Sequence, residues 1–425
     1  MITAIIIVFI IGYAAIAPEH GIGINKAASA LVTGVLCWTI YIVASSNAHI
    51  VSEQLTEHLG ELSGILFFLL GAMTIVELID VHDGFNIITD RIHQTNKRKL
   101  LWIVSFITFF LSPVLDNLTT TIVMVSLIRK LMKEREDRLV FVGMVVIAAN
   151  AGGAWSPIGD VTTTMLWIGG QITAANIIIQ LILPSLVCLL VPLAVLSLQL
   201  KGNVARPEVN HTGNQLAELS KRQQFIVFFS GVLILILVPV FKTLTHLPPY
   251  MGILIGLGLL WIITEIMHGG KPEREKHHLS VSHALRKVDS PSILFFLGIL
   301  LSIAALQSTG ILSSVADWMA TKIGNENIIA VSFGLLSSIV DNVPLVAAAQ
   351  GMYSLEQYPT DHSFWEFLAY TTGTGGSALI IGSAAGVAAM GMEKINFFWY
   401  LKRITLLALL GFFSGAGVYI LQKLL

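Results

Sequence analysis

The chain has 425 residues and a net charge of −1, and 55% of its residues are hydrophobic while 12% are charged. Soluble domains carry about 25% charged residues, so this composition excludes a soluble protein and indicates an integral membrane protein. Cys37 and Cys188 lie far apart in apolar stretches. This predicts small core residues rather than a disulfide framework or a metal site.

Apolar segments of spanning length follow one another through the first half of the chain. The predicted elements are helical spans at 2–17, 28–46 and 61–81, an amphipathic connector at 83–94, a hairpin at 100–132, a broken segment at 139–172 and a helix at 175–200. The hairpin turns at Asp116-Asn117, and the break runs from Asn150 to Asp160. Because residues 1–17 contain no basic residue, a helix is preferred there over a cleaved signal peptide.

The second half repeats this order after a polar linker at 201–223. Its predicted elements are spans at 224–241, 249–267 and 291–307, a hairpin at 328–353, a broken segment at 363–390 and a helix at 402–424. Ile65-Leu66-Phe67-Phe68 recurs as Ile293-Leu294-Phe295-Phe296, and Asp116-Asn117 recurs as Asp341-Asn342. We therefore predict an all-α membrane protein with two homologous halves, 1–200 and 224–425. Each half has five spans and one hairpin, and because five is odd the halves run in opposite directions, as in inverted-repeat transporters.

The distribution of basic residues agrees with this topology. If each hairpin returns to its own side, all but three of the 25 Lys and Arg residues fall on one side of the membrane, the exceptions being Lys242, Lys322 and Lys423. Cytoplasmic segments carry the excess of basic residues. That side is therefore predicted to be cytoplasmic. We expect a multi-pass protein of a bacterial inner membrane, with both termini outside, in the periplasm.

The limbs of the second hairpin, 328–340 and 343–352, are too short to cross a bilayer. At about 1.5 Å per residue they reach roughly 15–20 Å, against a hydrocarbon core of about 30 Å. This hairpin is predicted to be re-entrant, and the repeat extends that prediction to the first hairpin. The first hairpin has longer limbs, so an ordinary helix pair with a surface turn stays open as the alternative.

Oxygen-bearing side chains gather at the hairpin tips and at the two breaks. A carboxylate inside a membrane is costly and usually functional, and helices that unwind at the midplane offer further oxygen atoms. The candidate site residues are Asp116, Asn117, Thr119, Asn150, Ser156, Asp160 and Thr162 from the first half and Asp341, Asn342, Thr372, Thr374 and Ser377 from the second. Hard oxygen ligands favour Na⁺ or Li⁺, which is predicted to bind between the two Asp-Asn tips. No basic residue is expected beside the tip aspartates.

Several of these features also have structural explanations. The glycines of the breaks suit close helix packing, and threonines in helices often bond to their own backbone. Asp160, whose counterpart in the repeat is Ser383, is as well placed to cap the second half-helix as to bind an ion. None of the 12 histidines falls within a predicted span. They are expected to be solvated, with pH sensing as the alternative.

The tip aspartates suggest how transport is coupled. Burial favours a protonated carboxyl group, whereas a bound cation favours the carboxylate. Protons and Na⁺ would therefore compete for Asp116 and Asp341. If only the loaded states change their access, this competition produces antiport.

Four segments resemble the NhaD-type sodium/proton antiporters, and the resemblance covers essentially the whole chain. They are Gly12 to His20, Leu115 to Thr121, Ala149 to Thr164 and Asp341 to Pro344. The resemblance implies export of Na⁺ and Li⁺ in exchange for protons, a role in pH homeostasis and no cofactor. It also implies a homodimer in the bilayer, with a scaffold of helices at 2–81 and 224–307, mobile transport parts at 100–200 and 328–424, and elevator-like alternating access. Ser112 and Ser337 match supporting polar positions of the family, whereas Pro18 departs from its opening motif.

Three other classes of protein are alternatives to this prediction. A dicarboxylate or arsenite carrier on the same scaffold is disfavoured because acidic tips would repel an anion. An intramembrane aspartyl protease needs Gly-x-Gly-Asp, and Pro157-Ile158-Gly159-Asp160 lacks the first glycine. A passive channel does not need discontinuous helices in both halves. We therefore expect a carrier, with neither enzymatic activity nor a nucleic-acid partner.

Overall fold

The computed structural model describes residues 1–16, 25–89, 91–206, 219–270 and 273–425. Within these ranges the chain is helical, apart from turns and an isolated antiparallel bridge between Asn96 and Asn203. Eight of the described helices are long and apolar enough to cross a bilayer, which confirms a multi-pass membrane protein. The end of the opening motif, Pro18 included, and most of the predicted linker lie outside the described residues.

Nine helices cover the described residues up to 206. They are α1 (Ile2–Ile16), α2 (Lys26–Ala44), α3 (Ala48–Val81), α4 (Asn86–Thr89), α5 (Lys97–Leu115), α6 (Asn117–Leu131), α7 (Arg135–Gly153), α8 (Val161–Ile168) and α9 (Ala174–Gln199). Helices α5 and α6 meet at Asp116, as the hairpin prediction requires, and α7 and α8 are the two parts of the broken segment. Helix α3 begins earlier than predicted, because the Asn47 side chain caps it by accepting the backbone N–H of His49.

Twelve further helices cover the described residues from 219 onward. They are α10 (Lys221–Thr245), α11 (Pro249–His268), α12 (Glu273–His278), α13 (Val281–Lys287), α14 (Ser290–Ser308), α15 (Ile311–Lys322), α16 (Glu326–Leu336), α17 (Asn342–Met352), α18 (Ser363–Gly375), α19 (Ala384–Glu393), α20 (Phe397–Arg403) and α21 (Thr405–Leu424). Helices α16 and α17 form the second hairpin, and α18 and α19 the second broken segment. Helix α15 was not predicted, and the helix predicted at 402–424 is divided at Ile404.

Packing divides the helices into two groups. In one group α2 packs along α14, and α11 packs along both α3 and α10. In the other, α5 packs on α7, α6 on α19, α16 on α18 and α9 on α21. Contacts between the groups include α14 with α17 and α3 with α8. The hairpins and broken helices thus pack mainly on one another.

Close backbone contact accounts for glycines at the two breaks. A Cβ atom on Gly152 would lie 2.4 Å from the carbonyl oxygen of Phe109 in α5. A Cβ atom on Gly375 would lie 2.0 Å from the carbonyl oxygen of Gly334 in α16. In each case a broken helix presses against one limb of the adjacent hairpin. Close packing is therefore confirmed as one reason for these glycines.

Two buried histidines contradict the expectation that these residues are solvated. His82, which follows α3, is fully buried, and His268, the last residue of α11, is 3% exposed. Their Nε2 atoms are 2.9 Å apart, so they fill the contact between α3 and α11, where water is excluded. His58 also lies inside α3. The prediction that no histidine falls within a span-forming helix is therefore wrong.

Candidate ion-binding site

Asp160 lies where the tips of the two hairpins meet. It directly precedes α8 and is 2% exposed. The Asn117 amide donates to Asp160 Oδ2 at 2.6 Å, and the Asn342 amide donates to both Asp160 oxygens at 3.2 and 3.3 Å. Thr162 donates its backbone N–H and its hydroxyl to Asp160 Oδ1, both at 2.9 Å. Capping of α8 is confirmed, and the same carboxylate joins the two hairpins.

Asn150 extends this network from the first break to the second. Its side chain is fully buried, and its Oδ1 accepts from the Asn117 amide at 3.0 Å. Its own amide donates to the hydroxyl oxygens of Ser377 and Ser383, both at 2.9 Å. Both breaks and both hairpin tips therefore belong to one hydrogen-bonded cluster. Sequence reasoning did not include Ser383 among the site residues, although its equivalence to Asp160 in the repeat was a usable signal.

Asp116 and Asp341 flank this cluster and bond to their own helices. Asp116 accepts from the backbone N–H of Thr119 at 2.8 Å and from its hydroxyl at 2.9 Å. Asp341 accepts from the backbone N–H of Val343 at 3.1 Å. Asp160 interacts by electrostatic repulsion with both aspartates. Three carboxyl groups of like charge in one buried region favour binding of a cation or a proton between them.

Asp341 has a basic neighbour, contrary to the expectation from the sequence. Lys26, at the start of α2, attracts Asp341 electrostatically, and both residues line a cavity of about 60 Å³ together with Tyr13. The Tyr13 hydroxyl is buried there and has no hydrogen-bond partner among the described residues. The sequence did not reveal this arrangement, because Lys26 on α2 and Asp341 before α17 are brought together by the packing of both helices on α14.

Three serines hold backbone segments of the site in place. Ser112 in α5 donates to the Ala149 carbonyl of α7 at 2.6 Å, and Ser337 beyond α16 donates to the Thr372 carbonyl of α18 at 3.0 Å. Ser156, in the first break, donates to the Pro113 carbonyl at 2.7 Å. Each hydroxyl thus ties a break to a hairpin limb. Ser112 and Ser337 have matching positions in the two halves.

The candidate threonines fall into two classes. Thr119 and Thr162 donate their hydroxyls to carboxylates, as described above. Thr372 donates its hydroxyl to the Leu368 carbonyl at 2.7 Å, and Thr374 donates to the Tyr370 carbonyl at 2.6 Å. These two hydroxyls bond to their own helix, α18, and donate to no carboxylate of the site.

Internal space reaches the carboxyl groups from the side of α3. A narrow cavity of about 20 Å³ is lined by Asp116, Asp160 and Met73. Met73 also lines a larger cavity of about 220 Å³, whose wall includes Glu77, Asp80 and Thr119. Lys130 and Lys287 also line this cavity, so its wall carries both signs of charge. The cavity lies between α3 and α6, at the boundary between the two helix groups. Carboxylate oxygens, amide oxygens and hydroxyls of the site are thus available to a small cation.

The chain is similar to known membrane carriers over nearly its whole length. Residues 3–375 match the family described as "Citrate transporter". The chain is 50% identical to Sodium/proton antiporter 1 of Arabidopsis thaliana, over 98% of this chain and 72% of that protein. It is 48% identical to Sodium/proton antiporter 2 of the same plant, over 97% of this chain and 98% of that protein. It is 30% identical to the Na(+)/H(+) antiporter NhaD of Alkalimonas amylolytica, over 98% of this chain and 89% of that protein.

The helical fold and the transporter relatives together define a membrane transporter. Within that class, the family follows from the sequence identity to these relatives and from their match to nearly the whole chain. The chain belongs to the family of NhaD-type sodium/proton antiporters, which confirms the resemblance of its motifs.

Proposed function

We propose that the protein is a secondary active antiporter that exports Na⁺, and also Li⁺, in exchange for protons. One observation carries this proposal: Asp160, flanked by Asp116 and Asp341, accepts hydrogen bonds from Asn117 and Asn342 of the two hairpin tips. A site of hard oxygen atoms with excess negative charge suits a small alkali cation. The names of the relatives support the same substrates.

Exchange follows from competition at the carboxyl groups. In a dry site, burial favours the protonated acid, and a bound cation favours the carboxylate. Na⁺ bound between Asp160 and Asp116 would therefore release protons, and protonation would expel Na⁺. The amides of Asn117 and Asn342 stabilise the Asp160 charge between these two states. Thr119 and Thr162 orient the carboxylates, and Asn150 with Ser377 holds the two breaks together.

Alternating access would come from movement of one helix group against the other. We assign the scaffold to the helices at 2–81 and 224–307 and the mobile part to 100–200 and 328–424, as two inverted repeats joined by the linker at 201–223. The separate packing of these groups supports the assignment. Re-entrant hairpins would carry the carboxyl groups near the midplane, so that an elevator-like displacement moves the ion between the two sides.

The excess of basic residues on one side supports a cytoplasmic position for the connections that carry them, the linker at 201–223 included, and external termini. We place the protein in a bacterial inner membrane, as a homodimer formed through scaffold helices, with a role in pH homeostasis. Apolar side chains exposed along α10 and α11, such as Leu233 and Ile255, are compatible with lipid and partner contacts of the scaffold.

Proton movement in everted vesicles tests the proposal. Addition of Na⁺ or Li⁺ to respiring vesicles is expected to dissipate the pH gradient, and addition of K⁺ is expected to have no effect. Asp160→Asn should abolish the response, because the substituted amide carries no exchangeable charge, and Asp116→Asn and Asp341→Asn should each abolish or greatly reduce it. A full response in Asp160→Asn, at normal protein levels, would remove that residue as the exchange site.

A citrate or dicarboxylate carrier is the second candidate, because the matched family is described by citrate transport. Three carboxyl groups at the site oppose this function, since they would repel an anionic substrate. One experiment distinguishes a sodium/proton antiporter from an anion carrier. Uptake of labelled citrate into right-side-out vesicles, together with no cation-dependent proton movement, would replace the antiporter with an anion carrier.

A further inference from the structure

Three histidines cluster on the connector between α11 and α14, apart from the carboxyl cluster. His277 and His278 end α12, and His283 lies in α13. One ring nitrogen of each residue lies within 4.8 Å of those of the other two. The ring centroids are 5.9, 6.1 and 5.4 Å apart, with the planes steeply inclined. The rings are therefore close without being stacked, and no protein hydrogen bond within the described ranges occupies their nitrogens.

Ser280 fixes the turn that brings these histidines together. Its hydroxyl donates to the His277 carbonyl at 2.8 Å and accepts from the His283 backbone N–H at 3.2 Å. Ser280 is thus the N-cap of α13 and also holds the end of α12. Ser280 therefore links the backbone of His277 to that of His283. The side chains of the three histidines, exposed at His277 and His278 and half-buried at His283, can still rotate.

The ligand type selects a class of metal ion. Imidazole nitrogens suit Zn²⁺, Ni²⁺ and Cu²⁺, whereas Na⁺, Ca²⁺ and Mg²⁺ prefer oxygen. A tetrahedral zinc ion with Zn–N bonds of about 2.0–2.1 Å holds its nitrogens roughly 3.4 Å apart. The present spacing, up to 4.8 Å, would shorten to that value when the ion binds. Three histidines and a water molecule would complete the coordination.

The charges around the cluster also favour a metal ion that is held by coordinate bonds. Lys287 and Arg286 lie near His283, and their positive charges repel cations that are held by charge alone. An ion that forms coordinate bonds to nitrogen gains binding free energy that offsets this repulsion.

We propose that His277, His278 and His283 form a binding site for one divalent transition-metal ion, with Zn²⁺ as its representative. The ion would join the end of α12 to α13. His277 and His268 line the same cavity of about 290 Å³ together with Glu265, so the metal would also be adjacent to the end of α11. The site is independent of the proposed antiport, since none of its ligands belongs to the carboxyl cluster.

Zinc binding to the purified full-length protein tests this proposal. The protein should carry a purification tag without histidine, and Zn²⁺ should be titrated against a chromophoric chelator. One ion per chain is expected. His283→Gln and His278→Gln should each weaken the affinity at least about tenfold, because loss of even an outer-shell partner commonly costs 10–100-fold. Co²⁺ in place of Zn²⁺ should give a visible absorption spectrum with nitrogen ligation, which the variants lose.

His49→Gln provides the matched control, because His49 is an exposed histidine at the far end of α3. It should leave both stoichiometry and affinity unchanged. Size-exclusion profiles identify any variant that fails to fold, and His277→Gln then replaces it. Absence of binding to the unmodified protein, or equal affinity in the site variants and the control, would overturn the proposal.

Discussion

At the scale of single residues, Asp160 differs from the other two aspartates in the origin of its contacts. Asp116 and Asp341 bond to residues of their own helices, whereas Asp160 accepts from Asn117 and Asn342 of different hairpins. Hydrogen bonds to charged groups contribute about 1.5–3 kcal/mol each. Removing a donor would therefore alter both the charge on Asp160 and the link between the two halves.

Asn117→Ala is expected to weaken apparent Na⁺ affinity by roughly 10–100-fold, the equivalent of one charged hydrogen bond. Asn342→Ala should have a smaller effect, because its contacts to Asp160 are longer, at 3.2 and 3.3 Å against 2.6 Å for Asn117. The Na⁺ concentration for half-maximal proton movement in everted vesicles measures both effects.

Asn176→Ala is the control for this comparison. Asn176 donates to the buried carboxylate of Glu366 at 2.6 Å, the same distance as in the Asn117 pair, but neither residue belongs to the hydrogen-bonded cluster at the hairpin tips. It should lower thermal stability and leave the Na⁺ dependence intact. If Asn117→Ala behaves in the same way, its amide has only a structural role.

At the scale of elements, each broken helix is attached to one hairpin limb. Ser112 and Gly152 join α5 to α7, and Ser337 and Gly375 join α16 to α18. The pairs are made of the same two features, a serine hydroxyl on a carbonyl oxygen and a glycine in backbone contact. A hairpin and its break should therefore move as one unit.

Gly375→Ala is expected to destabilise the protein by about 1–3 kcal/mol, the usual cost of overpacking. The added Cβ atom would lie 2.0 Å from the Gly334 carbonyl oxygen, and backbone cannot move aside as a flexible side chain can. Apparent melting temperature in detergent should fall, and transport should fall with it.

Gly417→Ala, in α21, is the matched control, because a Cβ atom there would meet nothing within 4 Å. It should leave stability unchanged or raise it by about 0.5–1 kcal/mol, since alanine is the better helix former. Equal behaviour of the two variants would contradict the role of close contact at the break.

The elements were predictable to different degrees, for physical reasons. Hydropathy and glycine content predicted the hairpins and the breaks, because these depend on local sequence. Helix α15 was missed because its apolar positions are few and short of spanning length, with Leu312 and Ala316 as its buried residues. The sequence predicted that polar side chains gather at the hairpin tips and the breaks, but not that both tips would bond to Asp160. Contacts such as Asn342 with Asp160, Lys26 with Asp341 and His82 with His268 depend on long-range packing, which local patterns do not encode.

At the scale of the whole molecule, the carboxyl groups lie beside the boundary between two packed helix groups. Asp116 and Asp160 share a cavity with Met73 of α3, and Asp341 shares one with Tyr13 and Lys26 of α1 and α2. Each carboxyl therefore belongs to the hairpin and break group but faces a helix of the other group. Displacement of one group against the other would change what each carboxyl contacts. The relative affinity of these carboxyl groups for protons and for Na⁺ would change with it.

This arrangement predicts that Na⁺ stabilises the folded protein more strongly as pH rises. A ligand that binds only the folded state adds RT ln(1 + [L]/Kd), about 1.4 kcal/mol at tenfold excess over Kd. Protons and Na⁺ compete, so low pH fills the carboxyl groups with protons and raises the apparent Kd. The Na⁺-induced rise in melting temperature should therefore be largest at alkaline pH and vanish in acid. K⁺ at equal ionic strength should not reproduce it, and Asp160→Asn should remove it at every pH. A Na⁺ effect that is independent of pH would mean that the cation and the proton do not share a site, and the exchange mechanism would have to be abandoned even if Na⁺ is bound.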